Sequence, residues 1–163
     1  MLTKYGSYNI MKNMVCRQQS DSSINYLDID GNSVGSVGYA TFVWNAFQTG
    51  TTAGMKLMVG TGDTPPTYDD YCLENREIGG VDIDTLISTA NGSVTVDGLG
   101  QYSITATFTN LSQQTIDINE IGLVAISSNS TYRVLMARSV IPKKTLEPSD
   151  SVTLTYTISP LTI

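Results

Sequence analysis

The sequence predicts an all-β fold: an antiparallel β-sandwich, Ig-like or jelly-roll-like, that follows an extended N-terminal arm. About eight or nine short apolar segments recur at near-regular spacing, with turn-forming residues between them. Several of these segments alternate apolar and polar side chains, which is the period of a strand with one face in water. The pattern contains no long amphipathic helix, so an alternating strand–helix fold is not expected.

The composition agrees with this fold class. Charged residues make up 15% of the 163 residues, well below the roughly 25% of an average soluble chain. Ser, Thr, Asn, Gly and Tyr take their place, which favours strands and polar turns over surface helices. The length suits one domain with an arm, so we expect an arm in residues 1–22 and a sandwich domain in residues 23–163.

The predicted arm has no clear period and ends in a polar stretch. It carries more apolar and aromatic side chains than a frayed terminus would leave in water, so we expect a partner or a neighbouring copy to cover them. The candidate partner-binding residues of the arm are Tyr5, Tyr8, Ile10, Met11 and Met14. The arm lacks the continuous apolar core of a signal peptide, and no apolar run is long enough to cross a bilayer, so no membrane partner is expected.

The first half of the predicted domain begins with a strand at residues 24–29 that ends in the turn sequence Asp-Ile-Asp-Gly-Asn at 28–32. Residues 34–47 are apolar on both faces, as in a central strand, and residues 55–59 form another strand. The turn resembles the start of a calcium loop, but Gly31 stands at its fourth position rather than its sixth. We therefore predict a plain turn and no metal; a different calcium site helped by Asp82 and Asp84 is the weaker alternative.

Glycines and two prolines in residues 60–66 end regular strand pairing. The next segment, residues 67–78, predicts one helical turn, with Asp69 and Asp70 near its start and Arg76 near its end. Residues 81–88 predict an edge strand. Beside the prolines, Tyr68 and Tyr71 are expected to be exposed, where aromatic rings serve recognition.

The second half of the chain shows the strand period most clearly. The predicted strands are residues 94–96, 102–108, 116–126, 132–141 and 151–158, with a turn at 110–114 and a loop at 142–150. One carboxylate, Glu120, enters an apolar run. It either caps backbone donors in a bend or faces water at a bulge marked by Gly122, and we do not expect it to be catalytic.

Residue types exclude several classes of function. The chain has no histidine, which removes Ser-His-Asp and Cys-His catalysis and the usual catalytic zinc sites. Its net charge is −6 and its basic residues are scattered, so a nucleic-acid partner is not expected. Cys16 and Cys72 are predicted to be free, partly buried thiols, although a single bridge is an open alternative. We expect no enzyme activity and no cofactor.

Two stretches together resemble structural proteins encoded by bacteriophages. Residues 59–74 read VGTGDTPPTYDDYCLE and fit the pattern GxGxxxPxxxDxxL, while residues 108–110 read FTN and residues 116–123 read IDINEIGL. Strands like residues 132–140 and 151–156 follow in the same order in such proteins. The likeness spans about residues 55–158, so the arm lies outside it.

The resemblance implies an accessory protein of a virion head, neck or tail, including fibre and collar components. It further implies a location in the virion after synthesis in the host cytoplasm, with other virion proteins and copies of the same chain as partners in a homo-oligomer or ring. The alternative is a carbohydrate- or host-receptor-binding module of a phage fibre, which would bind a surface glycan with Tyr68, Tyr71, Asp69 and Asp70. A glycosidase is the third class and would need two carboxylates facing each other across a cleft.

Overall fold

The structure is a computed structural model that describes residues 27–33, 54–96, 102–126 and 133–158. Within those ranges, the side chains of residues 54, 90–96, 102 and 158 are not described. The predicted arm with its five candidate binding residues, the predicted strand at residues 34–47, and Cys16 all lie outside the described residues.

The described residues form antiparallel strands with almost no helix, which confirms the all-β prediction. The strands pair into two three-stranded sheets, ordered β1-β6-β7 and β4-β5-β8, and one two-stranded hairpin, β2-β3. The elements are β1 (Gly54–Gly60), β2 (Glu77–Ile78), β3 (Val81–Asp82), α1 (Ile83–Leu86), β4 (Ile87–Val96), β5 (Tyr102–Asn110), β6 (Ile116–Ile126), β7 (Arg133–Leu146) and β8 (Ser151–Ile158). Over the part of the chain described, no helix has the length and apolar character needed to span a bilayer.

One apolar cluster takes side chains from both three-stranded sheets. It includes Leu57 of β1, Ile104 and Phe108 of β5, and Leu123 of β6, all of them buried. Each fully buried side chain of this size stabilises the fold by about 1.5–3 kcal/mol relative to an exposed one. The alternating apolar residues from which the strands were predicted therefore form the core.

A second, smaller apolar cluster lies on the opposite face of sheet β1-β6-β7. Met58 and Val124 belong to it, whereas their sequence neighbours Leu57 and Leu123 belong to the first cluster, as expected when successive side chains of a strand point to opposite faces. Leu73 and Ile29, which lie outside the sheet, also belong to this cluster. The sheet is thus buried on both faces along β6, which explains why residues 121–126 are apolar without alternation.

The turn predicted at residues 28–32 is confirmed. The Asp28 carboxylate accepts hydrogen bonds from the backbone N–H of Asp30 (3.0 Å) and of Asn32 (2.8 Å). Gly31 has a positive φ of 80°, which favours glycine. Leu27 and Ser33 form a bridge across the turn. The Asp28 carboxylate therefore satisfies backbone donors of its own turn.

Strand β7 corrects the prediction that a loop begins at residue 142, because the strand continues to Leu146. In the register with β6, Glu120 lies opposite Val140 and Ile118 lies opposite Lys144. Three residues of β7 therefore face a single residue of β6, and Pro142 is the middle one. A bulge leaves residues without a ladder partner, so the missing N–H of proline removes no strand hydrogen bond there.

The predicted helical turn at residues 67–78 is also wrong. Asp70 folds back on Thr67, whose backbone N–H and hydroxyl donate to its carboxylate at 2.9 and 2.6 Å, and only Glu77–Ile78 is regular, as a strand. The predicted edge strand at residues 81–88 is interrupted: Val81–Asp82 is a strand, α1 follows, and residues 87–88 are the start of β4. Asp82 then caps α1 by accepting from the N–H of Asp84, as residues of this type do at helix starts.

Asn110 fixes the predicted turn that follows β5. Its side chain is fully buried. Its amide Nδ2 donates to the carbonyl oxygens of Gln114 (2.7 Å) and Leu146 (3.0 Å), and its Oδ1 accepts from the N–H of Ser112 (2.9 Å). One side chain therefore joins the ends of β5 and β7 to the turn between β5 and β6, which gives a structural role to the asparagine of the FTN motif.

Candidate functional site

The loop between β1 and β2, residues 61–76, crosses the face of sheet β1-β6-β7 that carries the second apolar cluster. Leu73 of the loop is buried in that cluster. Directly beneath it lies Gly122 of β6, where a Cβ atom would come within 2.7 Å of Leu73 Cδ2 and 2.9 Å of Leu135 Cδ1. The absence of a side chain at Gly122 therefore lets the loop approach the sheet closely.

Glu120 holds this loop from below. Its side chain is 0% exposed. Oε1 accepts hydrogen bonds from the backbone N–H groups of Gly62 (3.1 Å) and Asn75 (2.9 Å), and Oε2 accepts from the N–H of Glu74 (3.1 Å) and from Arg138 Nε (2.6 Å). Of the two interpretations left open by the sequence, the capping of backbone donors is confirmed and exposure to water is wrong.

Arg138 of β7 completes the charged centre and is 2% exposed. Besides Glu120, its guanidinium donates to Asp70 Oδ2 (3.0 Å), Glu74 Oε2 (3.2 Å) and the carbonyl oxygen of Thr64 (3.2 Å). Burial opposes the charged form, but hydrogen bonds to Glu120 and Asp70 raise the pKa of Arg138, so the guanidinium stays charged. Glu120 and Arg138 together therefore link β6 and β7 to five residues of the loop, which are Gly62, Thr64, Asp70, Glu74 and Asn75.

The carboxylates on the loop side of this centre are stabilised in their ionised form. Burial opposes ionisation of Asp70, but hydrogen bonds from Thr67 and the charge of Arg138 hold its pKa below the usual range. Hydrogen bonds from Thr64, chiefly from its backbone N–H, lower the pKa of Glu74. Since neither group holds a proton near neutral pH, this side of the centre acts as an ion network rather than as a proton donor.

Two glycines at the start of the loop provide the space for Glu120. A Cβ atom at Gly60 would lie 2.7 Å from the carbonyl oxygen of Asn75 and 2.9 Å from Glu120 Cδ. At Gly62 it would lie 2.6 Å from Glu74 Cβ and 2.7 Å from Glu120 Oε1. Real Cβ atoms do not come this close to other heavy atoms, so the two glycines of the GxGxxxPxxxDxxL pattern are required by packing.

The outer surface of the loop presents the two predicted aromatic residues. Tyr68 is 55% exposed and Tyr71 is 36% exposed, which agrees with their predicted exposure, while their role in binding stays a prediction. Tyr71 lies next to the turn at residues 28–32, since a Cβ atom at Gly31 would be 3.7 Å from its ring. A shallow cleft of about 260 Å³ beside Tyr71 is also lined by Asp69 and Asp70.

A second charged cluster ties the same loop to the turn at residues 28–32. Arg76 contacts Asp30 and Asp82 at 3.0 Å each, and Arg133 contacts Asp30 at 3.2 Å and Asp84 at 3.4 Å. Burial and the neighbouring Asp82 raise the pKa of Asp84. The carboxylates of the alternative calcium interpretation do come together, but they surround two guanidinium groups that already neutralise their charge.

Cys72 is a free and half-buried thiol, as predicted for this residue. Burial raises its pKa, so the reactive thiolate is disfavoured at neutral pH.

Three residues of the charged centre, Arg138, Glu74 and Thr64, were not predicted from the sequence. One feature of the sequence could have indicated that Arg138 pairs with Glu120. A lone arginine stands in the apolar run of β7 and a lone glutamate in that of β6, on strands that were predicted to follow one another. Two opposite charges in adjacent apolar strands indicate a buried ion pair, because an isolated buried charge is costly.

The folded protein is expected to lose stability in acid. Asp30, Asp70, Glu74 and Asp117 all have pKa values below their ordinary range, so the unfolded chain binds more protons than the folded one as pH falls below about 4–5. Their stabilisation is complete above that window and is lost as pH drops through the folded pKa values. Asp84 acts in the opposite direction because its pKa is raised.

Denaturant titrations between pH 7 and pH 3 check this expectation, with Asp70→Asn as the test variant. The free energy of unfolding should fall less steeply with acid in the variant than in the wild type. An identical slope in both proteins would contradict the role assigned to Asp70.

Comparison with known protein families, curated proteins and solved structures found no match to this chain.

Proposed function

We propose that this chain is a non-enzymatic structural component of a bacteriophage virion, an accessory protein of the head, neck or tail. In this proposal the two three-stranded sheets are the layers of a β-sandwich. The N-terminal arm and the sheet edges join the domain to other virion proteins and to copies of itself. The single apolar cluster that takes side chains from both sheets supports the sandwich arrangement.

A non-enzymatic role is supported by the contacts that the two buried charged residues make. Glu120 and Arg138 direct their hydrogen bonds at the backbone and side chains of the loop at residues 61–76. A glycosidase would require a protonated acid facing a second carboxylate, whereas the pKa values of Asp70 and Glu74 are lowered. The pKa of Asp84 is raised, but its carboxylate contacts the guanidinium groups of Arg76 and Arg133. The charges are thus engaged in holding a loop rigid, which suits a surface for recognition or assembly.

The phage assignment rests on the residue pattern alone, and the fold shows what several residues of that pattern do. Several residues that carry the resemblance belong to one set of contacts, although they come from two distant stretches. Gly60 and Gly62 make room for Glu120, Asp70 pairs with Arg138, and Leu73 packs on Gly122. A pattern whose members support one another physically is a structural pattern, and it needs no reaction to explain it.

Deleting residues 1–22 tests the assembly part of the proposal. We expect the remaining domain to fold, as judged by a cooperative unfolding transition, and to be missing from particles purified by density gradient. The full-length chain, expressed in parallel, is the control and should appear in the particles by mass spectrometry. Normal incorporation of the truncated chain would overturn the role of the arm, and absence of the full-length chain from particles would overturn the proposal itself.

The second candidate is a glycan- or receptor-binding module, and the exposure of Tyr68 and Tyr71 on a fixed loop favours it. Rigid aromatic rings beside carboxylates suit the apolar faces and hydroxyl groups of sugars. A glycan array with the wild type, the Tyr68→Ala/Tyr71→Ala variant and Leu111→Ala, an exposed apolar control, separates the candidates. Binding that is lost only in the tyrosine variant would favour this function, and absence of binding would remove it.

A further inference from the structure

We propose that β8 is the strand through which two copies of this chain associate. The two β8 strands would pair antiparallel across a twofold axis, and the two β4-β5-β8 sheets would become one continuous sheet of six strands, three from each copy. This inference rests on the proposed assembly through sheet edges and names both the edge and the partner.

Strand β8 lies at one end of its sheet. It pairs with β5 over its whole length, from Ser151 opposite Thr109 to Ile158 opposite Tyr102. No residue in the described ranges pairs with its other side. In an antiparallel sheet, every second residue of such a strand points its N–H and C=O groups away from the neighbour, where another strand can bind them.

The other terminal strands of the two described sheets carry features that oppose strand addition. Strand β7 contains Pro142, Lys143, Lys144 and two register shifts, strand β4 has a bulge between Asn91 and Val94, and strand β1 contains Lys56. Charged residues, prolines and bulges are the usual means by which soluble proteins protect sheet edges from pairing.

Strand β8 has none of these features. Its sequence, SVTLTYTI, contains no charged residue, no proline and no glycine, and its register with β5 has no shift. Val, Ile, Thr and Tyr are also the residues that pack best on a pleated surface. A regular, uncharged edge of eight residues is a ready template for another strand, so a partner strand is expected to cover it.

The side chains of β8 favour a second copy as that partner. Three side chains of β8 pack against the first apolar cluster but are only partly buried: Val152, Leu154 and Tyr156. Antiparallel pairing of β8 with itself would place these three side chains beside the corresponding three of the second copy. Their exposed area would then be removed from water. The whole chain carries a net charge of −6, yet β8 brings no like charges together.

The outer face of β8 fits itself equally well. Each outward hydroxyl of β8 is hydrogen-bonded to a hydroxyl of β5, and a β8–β8 pair would place hydroxyl beside hydroxyl in the same way. The pairs are Ser103–Thr157 (2.9 Å), Thr105–Thr155 (3.0 Å), Thr107–Thr153 (2.9 Å) and Thr109–Ser151 (2.7 Å).

Two double lysine variants of the full chain test the proposal. Thr153→Lys/Thr155→Lys adds two charges to the edge strand, and Thr105→Lys/Thr107→Lys adds the same charges to the central strand β5. Both variants remove the same two hydroxyl pairs and change the net charge equally, so they differ only in distance from the edge. Circular dichroism should show strand content like that of the wild type in both.

Sedimentation velocity over the micromolar range gives the readout. We expect a dimer for the wild type and for the β5 variant, and a monomer for the β8 variant, with a dissociation constant raised at least about tenfold by charge repulsion. Hydrogen exchange should show the outward amides of β8 becoming slower as the wild-type concentration rises. A wild type that stays monomeric, or a β8 variant that dimerises like the wild type, would overturn the inference.

The two proposals fail separately. A dimer that depends on β8, from a chain that is absent from particles, would leave the inference standing and remove the virion function. A chain that is present in particles but forms no such dimer in solution would support the virion function and overturn the inference about β8.

Discussion

Replacing Glu120 with alanine is expected to lower the free energy of unfolding by about 3–5 kcal/mol, the range for breaking a buried ion pair by removing one partner. Two effects contribute. The N–H groups of Gly62, Glu74 and Asn75 lose their acceptor, and Arg138 loses its closest anion while it stays buried. Urea titrations monitored by circular dichroism measure the loss.

Asp117→Ala is the matched control for this variant. Asp117 lies on the same strand and pairs with Lys143 at 3.1 Å, but in water, where ion pairs contribute little, so only a small change is expected. The free energy of unfolding of Glu120→Gln should lie between those of Glu120→Ala and Asp117→Ala. The amide oxygen of glutamine can still accept hydrogen bonds, whereas its amide nitrogen would face donors. If Glu120→Ala is as stable as Asp117→Ala, Glu120 does not hold the loop.

An additional variant separates the two roles of Glu120. If its main task is to neutralise Arg138, then the double variant Glu120→Ala/Arg138→Met should recover most of the stability lost in Glu120→Ala. We expect little recovery, because the backbone donors of the loop still lack their acceptor. Limited proteolysis should cut residues 61–76 rapidly in Glu120→Ala and in the double variant, and slowly in the wild type.

Replacing Gly60 with alanine is expected to destabilise the protein by on the order of 3 kcal/mol, from overpacking together with lost hydrogen bonds. In a strand with free space the same change would stabilise slightly, because alanine restricts the unfolded chain. At Gly60 the new methyl group would meet the carbonyl oxygen of Asn75 and the carboxyl group of Glu120. One of them must move, and either movement disturbs the bonds that hold the loop. Thermal and urea unfolding measure the effect.

Gly79→Asn provides the comparison for this variant. Gly79 has a positive φ of 60° and open space around it, and asparagine tolerates that conformation, so a change within about 0.5 kcal/mol is expected. A Gly60→Ala protein as stable as Gly79→Asn would show that the close approach to Glu120 is not a constraint.

The sequence predicted the strands well where one face is apolar and the other polar. Strands β5 and β8 are the clearest cases, and the turn at residues 28–32 followed from its Asp, Gly and Asn residues. The errors arose where a long-range contact overrides a local signal. Pro142 ends a strand by local rules but is accommodated in a bulge, and Asp70 and Arg76, interpreted as charges of a helical turn, bind distant or neighbouring side chains instead.

The site was only partly predictable for the same reason. A lone carboxylate in an apolar run indicated that Glu120 has a special role, and both possible roles were physically reasonable. Which of them applies depends on Arg138, 18 residues away, and on loop residues 45 to 58 positions away. Local sequence patterns do not show contacts between residues so far apart along the chain. Gly60 and Gly62 are the sequence feature that this close packing requires.

Amide hydrogen exchange at Gly62, Glu74 and Asn75 tests most directly whether buried charges hold the loop at residues 61–76 rigid for recognition or assembly. We expect these three loop amides to exchange about as slowly as the core amides of β6, and to become fast in Glu120→Ala. Exchange in the wild type at the rate of an unstructured loop would contradict a rigid loop held by Glu120.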